Sequence, residues 1–449
     1  MSRRVAVVGG GVGGLTAAYE LASAGAEVVL VESTDRVGGK LRGGVVGGVQ
    51  VDLGAESVLA RRPEAIGLMD RIGLPYEPAR PTSAAIWSHG ALRPMPRTVM
   101  GVPGEVDALL ETGVVSSVER VDVPVGAEDQ SIGDFVAARL GREVVDRLVE
   151  PLFGGVYAGH TDRLSLRAAG PQIAALGSDL VAGAAAALAR PAADGPVFVA
   201  PTGGVHRLPE ALAATGGFQI RTDATVRVVE RANGGWRLTL GPTTHLESLD
   251  VDGVVVATPA PATARLLAEV APGAAYALAA LDYASVAIVT FVLDDASWDD
   301  GLSGFLVPPV EGTTIKAATC STAKWAWTRD AAAGRTVIRT SVGRAGETTL
   351  LHHDDATIIE TALADLTAIV GDLGTVVDAH VQRWGGALPQ YDVGHLDLVA
   401  TVERDIATVP GLEVCGAAYH GVGIPAVIAS AQAAARRLLD AGTMEDERT

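Results

Sequence analysis

The sequence predicts an α/β fold, α+β overall, organised around a dinucleotide-binding unit at the start of the chain. A short apolar run, VAVV, is long enough for one buried parallel strand, and a glycine turn and an Ala-rich helix follow it. A second apolar run, residues 27–31, ends at an acid, Glu32. This order of strand, glycines, helix, strand and acid is typical of dinucleotide-binding domains. We therefore prefer this interpretation to a purely structural glycine turn.

The glycine turn has the spacing G-x-G-x-x-G through Gly9, Gly11 and Gly14. The first glycine permits the tight turn, the second lets backbone approach a pyrophosphate, and the third lets the helix pack on the strand. The helix presents its N-terminal N–H groups to the phosphates. The Glu32 carboxylate is expected to accept hydrogen bonds from the ribose hydroxyls of the cofactor. The other residues of this unit expected to contact the cofactor are Gly10, Val12, Gly13 and Ser33.

A second glycine doublet follows the acid and narrows the choice of cofactor. Arg36, Gly38, Gly39 and Lys40 come directly after the second strand, where backbone can again lie along a diphosphate. NAD-binding units do not need this doublet. Flavoproteins with two dinucleotide-binding domains, which bind extended FAD, typically carry it, and this segment resembles theirs. The sequence therefore favours FAD over NAD.

The composition predicts a globular protein and argues against two classes of partner. Of 449 residues, 48% are hydrophobic and 20% are charged, and the formal net charge is −18. That charge disfavours nucleic acid and an anionic membrane surface as broad partners. The longest apolar stretch, residues 180–189, is too short and too Ala-rich for a transmembrane segment. Cys320 and Cys415 lack metal-type spacing, which favours a reducing, cytoplasmic setting.

Residues 43–72 are expected to bring further groups towards the cofactor. Residues 43–53 alternate glycine and valine and predict a hairpin. Two adjacent arginines, Arg61 and Arg62, are more often solvated surface than a binding site, and a helix is predicted for residues 63–72. Between the hairpin and the arginines, four residues are expected near the flavin ring: Gly54, Ala55, Glu56 and Ser57.

The middle of the chain, from about residue 91 to 194, is predicted to be mostly α-helical. Residues 131–148 have helical apolar spacing, with Ser131 as the N-cap residue. The segment EPLFGGVYAG is expected to break the helix at Pro151. Its aromatic residues and glycines, Gly155 among them, fit either close approach to a flat ligand or a packed turn.

Later segments return to the parallel sheet and to its ligand-binding edge. Four alternating runs between residues 284 and 342 predict a separate antiparallel sheet. A last strand, residues 412–415, is followed by a glycine turn and then by the start of another helix. The N-terminus of that helix offers a second binding site for a negatively charged group. The residues at the carboxyl ends of the late strands are Ala257, Thr258, Gly416 and Ala417.

No residue cluster predicts metal or nucleophilic chemistry. The run HHDD at residues 352–355 is interpreted as the entry to a helix, because no third ligand stands at tight spacing. No nucleophile–base pair is recognised either. We assign no catalytic side chain and no metal ligand, which fits a protein whose cofactor carries the chemistry.

Several motifs occur in order from near residue 5 to near residue 440. They are GGGVGGL, DRVGGKLR, LRPMP with VMGVP, EPLFGGVYAG with LSLRA, GGVHRLP, RWGGALPQYDVGH and CGAAYHGVGIPAVI. Together they resemble the protoporphyrinogen oxidase family, most closely its water-soluble bacterial coproporphyrinogen III oxidases. The glycine motifs are shared with amine oxidases and carotene desaturases, whereas RWGGALPQYDVGH and EPLFGGVYAG are far more specific.

The resemblance implies a two-dinucleotide-binding-domain FAD fold with an amine-oxidase-like substrate domain and a helical insertion. The FAD-binding domain is expected to comprise residues 1–60, 195–265 and 395–449. The substrate-binding domain is expected to comprise residues 61–90 and 266–394. Residues 91–194 are expected to form the helical domain, so the chain passes discontinuously through all three.

The resemblance also implies a reaction: FAD-dependent oxidation of a porphyrinogen CH–CH system to a porphyrin, with O2 as acceptor and H2O2 as product. The FAD is expected to be non-covalent. Gly155, Phe305 and Leu306 match positions that line the macrocycle. The positions that match flavin contacts are Gly9, Gly11, Gly14, Glu32, Gly38, Gly39, Lys40, Val226, Trp384, Val422, Gly423 and Ile424.

Two residues depart from the family pattern. Arg62 falls where the bacterial branch usually has a lysine near a substrate carboxylate, so the charge is kept and bidentate geometry becomes available. Ala417 falls where many such FAD proteins have Asp, so a contact with the ribitol or phosphate of FAD at this position must come from the backbone. A tetracarboxylate substrate also needs a positive patch, which is expected from Arg61, Arg62, Arg80, Arg93 and Arg97.

Alternatives stay open at this point. The substrate could be protoporphyrinogen IX, and an amine or polyene flavin oxidase is a further alternative that the arginines disfavour. A flavin-free binding protein on the same fold, as in the GDP-dissociation inhibitors, is the third. A weak peripheral membrane contact and handover of the product to a ferrochelatase also stay open.

Overall fold

The structure, a computed structural model, describes residues 3–191, 195–232, 234–298 and 301–446, with side chains up to residue 440. Its strands, in chain order, are β1 (Arg4–Val8), β2 (Glu27–Val31), β3 (Gly43–Val46), β4 (Val49–Asp52), β5 (Val58–Leu59), β6 (Tyr76–Pro78), β7 (Ser83–Ser88), β8 (Ala91–Pro94), β9 (Thr98–Val99), β10 (Val102–Pro103), β11 (Phe198–Pro201), β12 (Gln219–Arg221), β13 (Val226–Ala232), β14 (Gly235–Leu240), β15 (Glu247–Val251), β16 (Gly253–Val256), β17 (Tyr283–Asp294), β18 (Leu302–Leu306), β19 (Ile315–Cys320), β20 (Thr336–Val342), β21 (Thr375–Pro389) and β22 (Leu412–Val414).

The α-helices, in chain order, are α1 (Val12–Ser23), α2 (Pro63–Arg71), α3 (Val106–Glu111), α4 (Ile132–Leu140), α5 (Arg142–Val144), α6 (Glu150–Tyr157), α7 (Pro171–Ala174), α8 (Leu180–Leu188), α9 (Arg207–Ala214), α10 (Ala260–Leu267), α11 (Pro272–Ala279), α12 (Ser321–Lys324), α13 (Ala326–Ala332), α14 (Asp355–Val370), α15 (His395–Ile406) and α16 (Ile424–Asp446). Among the described helices, none has the length and apolar character that a membrane crossing requires.

A five-stranded sheet of order β12-β2-β1-β16-β22 contains the predicted dinucleotide unit. All its strand pairs are parallel, and its central strands are buried on both faces, which explains their continuous valine-rich sequences. Helices α1 and α16 pack on one face within a single apolar cluster. Because the strands are parallel, the turns after β1, β2, β16 and β22 all lie at the same edge of the sheet.

A mixed seven-stranded sheet has the order β21-β17-β20-β19-β18-β7-β8 and confirms the predicted antiparallel runs. Five of its strands come from the second half of the chain, and β7 and β8 come from residues 83–94. Adjacent strands in this sheet are antiparallel, except that β18 and β7 are parallel. Helix α14 covers one face of this sheet, and the side chain of Asp354 caps that helix by accepting from Thr357 N at 2.8 Å. The HHDD run is therefore a helix entry, as predicted. The hairpin β7–β8 spans the expected domain boundary at residue 90.

The structure of the helical region corrects one prediction. This region packs around a buried cluster whose members run from Val102 to Ala184 and include Ile86 and Tyr391 from outside it. The expected break at Pro151 is wrong, because Pro151 lies in the first turn of α6, where a proline is tolerated. A π-helical turn, Val145–Val149, leads directly into that helix. The interruption lies earlier, at Gly141, whose φ of 86° few side-chain-bearing residues can adopt.

Candidate functional site

The turn between β1 and α1 has the geometry that a pyrophosphate requires. A Cβ on Gly14 would lie 1.8 Å from the Gly9 carbonyl oxygen, so only glycine permits this approach of helix to strand. A Cβ on Gly11 would meet no protein atom within 4 Å. The backbone at Gly11 is therefore open to a ligand, and α1 begins at the next residue with its N–H groups at that point.

Glu32 lies beside this turn, as its position after β2 predicts. Its Oε2 accepts a hydrogen bond from Gly10 N at 2.7 Å, and its Oε1 accepts from Thr34 N at 2.8 Å. The hydroxyl of Ser33 donates to the same Oε1 at 3.2 Å. The carboxylate is thus fixed at the edge of the glycine turn, where it retains capacity to accept further hydrogen bonds.

The second glycine doublet packs directly on the first turn. Gly38 N donates to Gly10 O at 2.7 Å, and a Cβ on Gly39 would lie 3.2 Å from the Cα of Gly11. The Arg36 guanidinium donates to the carbonyls of Val37 at 3.2 Å and Gly39 at 2.9 Å. These hydrogen bonds hold the loop in shape, and the direct cofactor contact expected of Arg36 stays a prediction.

Lys40 continues this loop into the interior of the protein. Its Nζ donates to the carbonyl of Ala387 in β21, and burial lowers the pKa of the ammonium to about 8. A Cβ on Gly54 would lie 1.9 Å from the Lys40 carbonyl and 3.3 Å from the Trp384 ring. Trp384 Nε1 in turn donates to Leu53 O at 3.0 Å. The structure therefore brings these expected site residues together.

Glu56 and Ser57, expected near the flavin, direct their side chains towards the seven-stranded sheet. The Glu56 carboxylate accepts from Lys324 Nζ at 3.0 Å and from Arg339 Nη1 at 2.7 Å. The Ser57 hydroxyl accepts from Lys324 Nζ at 2.8 Å. Ala55, between them and Gly54, is exposed. At Glu56 the carboxylate is thus engaged by two cations, whereas the Ser57 hydroxyl can still donate one hydrogen bond.

The turn after β22 is held at both ends by one tyrosine. The Tyr391 hydroxyl donates to Ala417 O at 2.7 Å and accepts from Gly421 N at 2.8 Å. Tyr391 also stacks on His395 with ring centroids 3.7 Å apart. A Cβ on Gly416 would meet no protein atom within 4 Å. Like Gly11, Gly416 therefore leaves its backbone open, and after Val422 and Gly423 the helix α16 begins at Ile424.

The other expected cofactor residues border the same sheet edge. A Cβ on Gly9 would lie 3.1 Å from Ala257 O and 3.2 Å from Thr258 Cγ2, so the turn after β16 packs against the turn after β1. Val226 is the first residue of β13 and is half-buried against the cluster beneath the parallel sheet. The glycine turns after β1 and β22 and the acid after β2 fit a dinucleotide placed along this edge.

The residues expected to line a macrocycle divide between two faces of the seven-stranded sheet. A Cβ on Gly155 would lie 3.8 Å from Leu306 Cδ2, so these two residues are neighbours across the interface between the helical region and the sheet. Phe305 is only 2% exposed and stacks on Trp298 in the cluster beneath α14. Adjacent strand residues point to opposite faces, which explains why Phe305 does not join Leu306.

Arg62 is not a free cation in this structure. Its Nη2 lies 2.7 Å from Glu64 Oε1, and the side chain is 43% exposed. This hydrogen bond lowers the pKa of Glu64. A substrate carboxylate at Arg62 would have to share the guanidinium with Glu64 or displace it.

Three of the remaining arginines of the expected positive patch contact separate elements, and Arg61 is exposed. Arg80 Nη1 donates to Ala323 O at 3.0 Å beside α12, and Arg97 Nη2 lies 3.4 Å from Leu188 O at the end of α8. The Arg93 guanidinium packs under Gly113, whose Cβ would lie 3.2 Å from it. Sequence proximity alone therefore does not make these arginines one binding surface.

Sequence reasoning missed three residues that shape this site: Lys324, Arg339 and Tyr391. Tyr391 lies within RWGGALPQYDVGH, and that motif was the available signal for it. Lys324 and Arg339 gave no local signal, because their partner Glu56 is more than two hundred residues away. No grouping of His, Cys, Asp and Glu that could hold a metal occurs in the ranges that the structure describes.

Comparison with known proteins then gives the family. The model of the flavin containing amine oxidoreductases matches residues 12–439. The chain belongs to this family. This flavin oxidoreductase is 37% identical to the coproporphyrinogen III oxidase of Mycobacterium leprae, over 96% of the chain and 97% of the relative. It is 30% identical to the Bacillus subtilis protein of the same name, over 96% and 97% respectively.

Solved structures agree with this assignment. The crystal structure of a protein from Exiguobacterium sp. 255-15 superposes with a TM-score of 0.84 at 29% identity, over 98% of this flavin oxidoreductase and 99% of that chain. A putrescine oxidase matches with a TM-score of 0.70 at 18% identity, which shows the shared fold. The predicted family, the predicted FAD-type α/β fold and the prediction of a flavin-dependent enzyme are confirmed.

Proposed function

We propose that the protein oxidises coproporphyrinogen III to coproporphyrin III, using FAD and passing the electrons to O2 with formation of H2O2. The observation that carries the proposal is the end-to-end similarity to a protein named coproporphyrinogen III oxidase, with 37% identity over 96% of the chain. The proximity of Gly155 and Leu306 supports it, because both match positions that line the macrocycle in the family and a Cβ on Gly155 would lie 3.8 Å from Leu306 Cδ2.

The flavin is proposed to be FAD, held by the edge of the five-stranded sheet. Gly11 and the N-terminus of α1 would hold the pyrophosphate, and Glu32 would hold the ribose. The backbone of residues 416–424 and the N-terminus of α16 would face the pyrimidine edge of the flavin ring, where the reduced flavin is negatively charged. When bound, the flavin supplies the hydride acceptor of the reaction. We assign no catalytic side chain, since the protein's part is to bind and orient the macrocycle.

The domain assignment is part of the same proposal. Residues 1–60, 195–265 and 395–449 would bind FAD, residues 61–90 and 266–394 would bind the porphyrinogen, and residues 91–194 would shape the site mouth. Arg62 would bind a propionate there, and Gly155 and Leu306 would contact the ring. A cytoplasmic location fits the two buried thiols, Cys320 and Cys415. Handover of the product to a ferrochelatase belongs to this proposal too.

One assay tests the reaction. Coproporphyrinogen III, made by chemical reduction of coproporphyrin III and added to the purified yellow protein in air, should give coproporphyrin fluorescence together with one H2O2 for each pair of hydrogens removed. Protoporphyrinogen IX and a diamine, assayed in parallel, separate the proposal from its alternatives. Faster turnover of protoporphyrinogen IX, or oxidation of the amine alone, would contradict the proposed substrate. A colourless protein without flavin absorbance would contradict the whole assignment.

We predict that the flavin is non-covalent. Cys415, the cysteine nearest the cofactor turns, is fully buried, and burial raises the pKa of its thiol to about 12. A protonated thiol is a poor nucleophile, so attachment to the ring is disfavoured. Acid precipitation should therefore leave the yellow colour in the supernatant, and Cys415→Ala should not change that distribution. A yellow pellet that survives washing would refute this prediction.

A further inference from the structure

We propose that Glu56 is a positioning residue for the flavin site, which it holds in shape by bridging Lys324 and Arg339. The inference rests on the proposed flavin site but not on the identity of the substrate. Glu56 follows the segment that packs on Lys40, while both cations belong to the part of the chain that forms the seven-stranded sheet. The bridge thus joins the cofactor turn to the sheet that would carry the porphyrinogen.

The bridge is complete and buried. Glu56 Oε1 lies 3.0 Å from Lys324 Nζ, Oε2 lies 2.7 Å from Arg339 Nη1, and the Ser321 hydroxyl donates to Oε2 at 2.9 Å. The exposed fractions of the three charged side chains are 12% for Glu56, 17% for Lys324 and 7% for Arg339. A buried carboxylate with this many donors has little freedom to move.

The bridge depends on the negative charge of Glu56 and on the positive charges of Lys324 and Arg339. Burial raises the pKa of Glu56, but the attraction of Lys324 and Arg339 and their hydrogen bonds outweigh it and lower that pKa to about 2. The carboxylate is therefore ionised throughout the physiological range. One carboxylate faces two cations, so removing its charge would leave both cations buried without this partner, a strongly destabilising arrangement.

The same cations also contact other residues of the cofactor segment. Arg339 Nη2 donates to the carbonyl of Gly54, and Lys324 Nζ donates to the Ser57 hydroxyl at 2.8 Å. Gly54 in turn packs against the Lys40 carbonyl, directly after the glycine doublet. A shift of residues 53–57 would therefore be transmitted to Lys40 and Gly39. Supporting contacts of this kind fix the geometry of a site without touching its ligand.

The test compares Glu56→Gln with Glu311→Gln. Glu311 is a matched control, because its side chain is 10% exposed, it pairs with Arg147 and it accepts from His89 N at 3.0 Å. Both variants should melt below the wild type as apoproteins. Glu56→Gln should also weaken FAD binding about 10- to 100-fold, taking the range found for supporting contacts at metal sites, whereas Glu311→Gln should bind FAD within about twofold of wild type. FAD binding is measured by fluorescence quenching on apoprotein, without porphyrinogen.

Arg339→Lys keeps the inference testable if Glu56→Gln does not fold. It retains the charge but cannot reach both Glu56 and Gly54 O as the guanidinium fork does, so FAD affinity should fall while the apoprotein melts closer to wild type than Glu56→Gln does. In the double variant Glu56→Gln, Lys324→Met, the two losses of FAD affinity should be less than additive. Wild-type FAD affinity in Glu56→Gln or in Arg339→Lys would overturn the inference. Because every readout uses FAD alone, failure of the porphyrinogen assay would leave this result unaffected.

Discussion

Gly11→Val should abolish flavin binding while the apoprotein remains folded. Residue 11 has φ −69° and ψ 175°, which valine adopts readily, and a Cβ there meets no protein atom within 4 Å. The side chain would instead occupy the space that the pyrophosphate must enter. Circular dichroism and thermal melting of the apoprotein should match wild type, and the purified variant should be colourless even with excess FAD.

Gly67→Val is the matched control for this experiment. Gly67 lies within α2, and a Cβ there also meets no protein atom within 4 Å. Valine costs a helix only a fraction of a kcal/mol, about 0.7 or less relative to alanine, so this variant should purify yellow. Full flavin occupancy in Gly11→Val would show that the turn after β1 does not bind the cofactor. Loss of flavin in both variants would point to general instability.

Arg62→Ala should raise KM for coproporphyrinogen with little change in kcat. A propionate lies at the edge of the macrocycle, away from the carbon that loses hydride, so its contact is nearly equal in ground and transition states. A charge-assisted hydrogen bond contributes about 1.5–3 kcal/mol, which corresponds to about a 10- to 150-fold rise in KM. The 43% exposure of Arg62 and its pairing with Glu64 place the expected rise near the lower limit.

Glu64→Gln is the companion variant, because it removes the carboxylate that competes with the substrate for Arg62. KM should fall, by up to about fivefold, since an exposed ion pair contributes about 0.2–1 kcal/mol. Arg62→Lys should recover most of the loss seen in the alanine variant. If KM is unchanged in Arg62→Ala, the arginine is solvated surface that serves Glu64 alone. If kcat collapses at constant KM, Arg62 acts on the chemistry instead.

The sequence predicted the parts of the site that depend on local patterns. The turn after β1, the acid after β2 and the helix after β22 are each specified within about twenty residues, by glycines at fixed spacing and by runs of buried valine. Glu32 lies beside Gly10 because β1 and β2 pair in parallel, so that the turns that follow these two strands are neighbours. These parts can be predicted from sequence because the local backbone conformation restricts which residue types can occupy each position.

The sequence did not predict contacts between distant segments. Glu56 looked like a cofactor contact from its neighbours, but Lys324 and Arg339 hold its carboxylate. Phe305 and Leu306 were expected to act together, yet strand alternation separates them. Pro151 looked like a helix breaker, although the preceding π-helical turn places it where no N–H is needed. Each of these outcomes depends on tertiary packing that local propensity does not contain.

The order of strands in the parallel sheet has a consequence for synthesis of the protein. Strand β1 pairs with β16, Val5 with Gly253, and β16 pairs in turn with β22, Val254 with Leu412. At translation rates of about 5–20 residues per second, β1 leaves the ribosome about 10–50 s before its partner β16. Throughout that interval one edge of a strongly apolar strand has no neighbour, which invites aggregation. We therefore expect the unpaired edge of β1 to need protection until β16 has been synthesised.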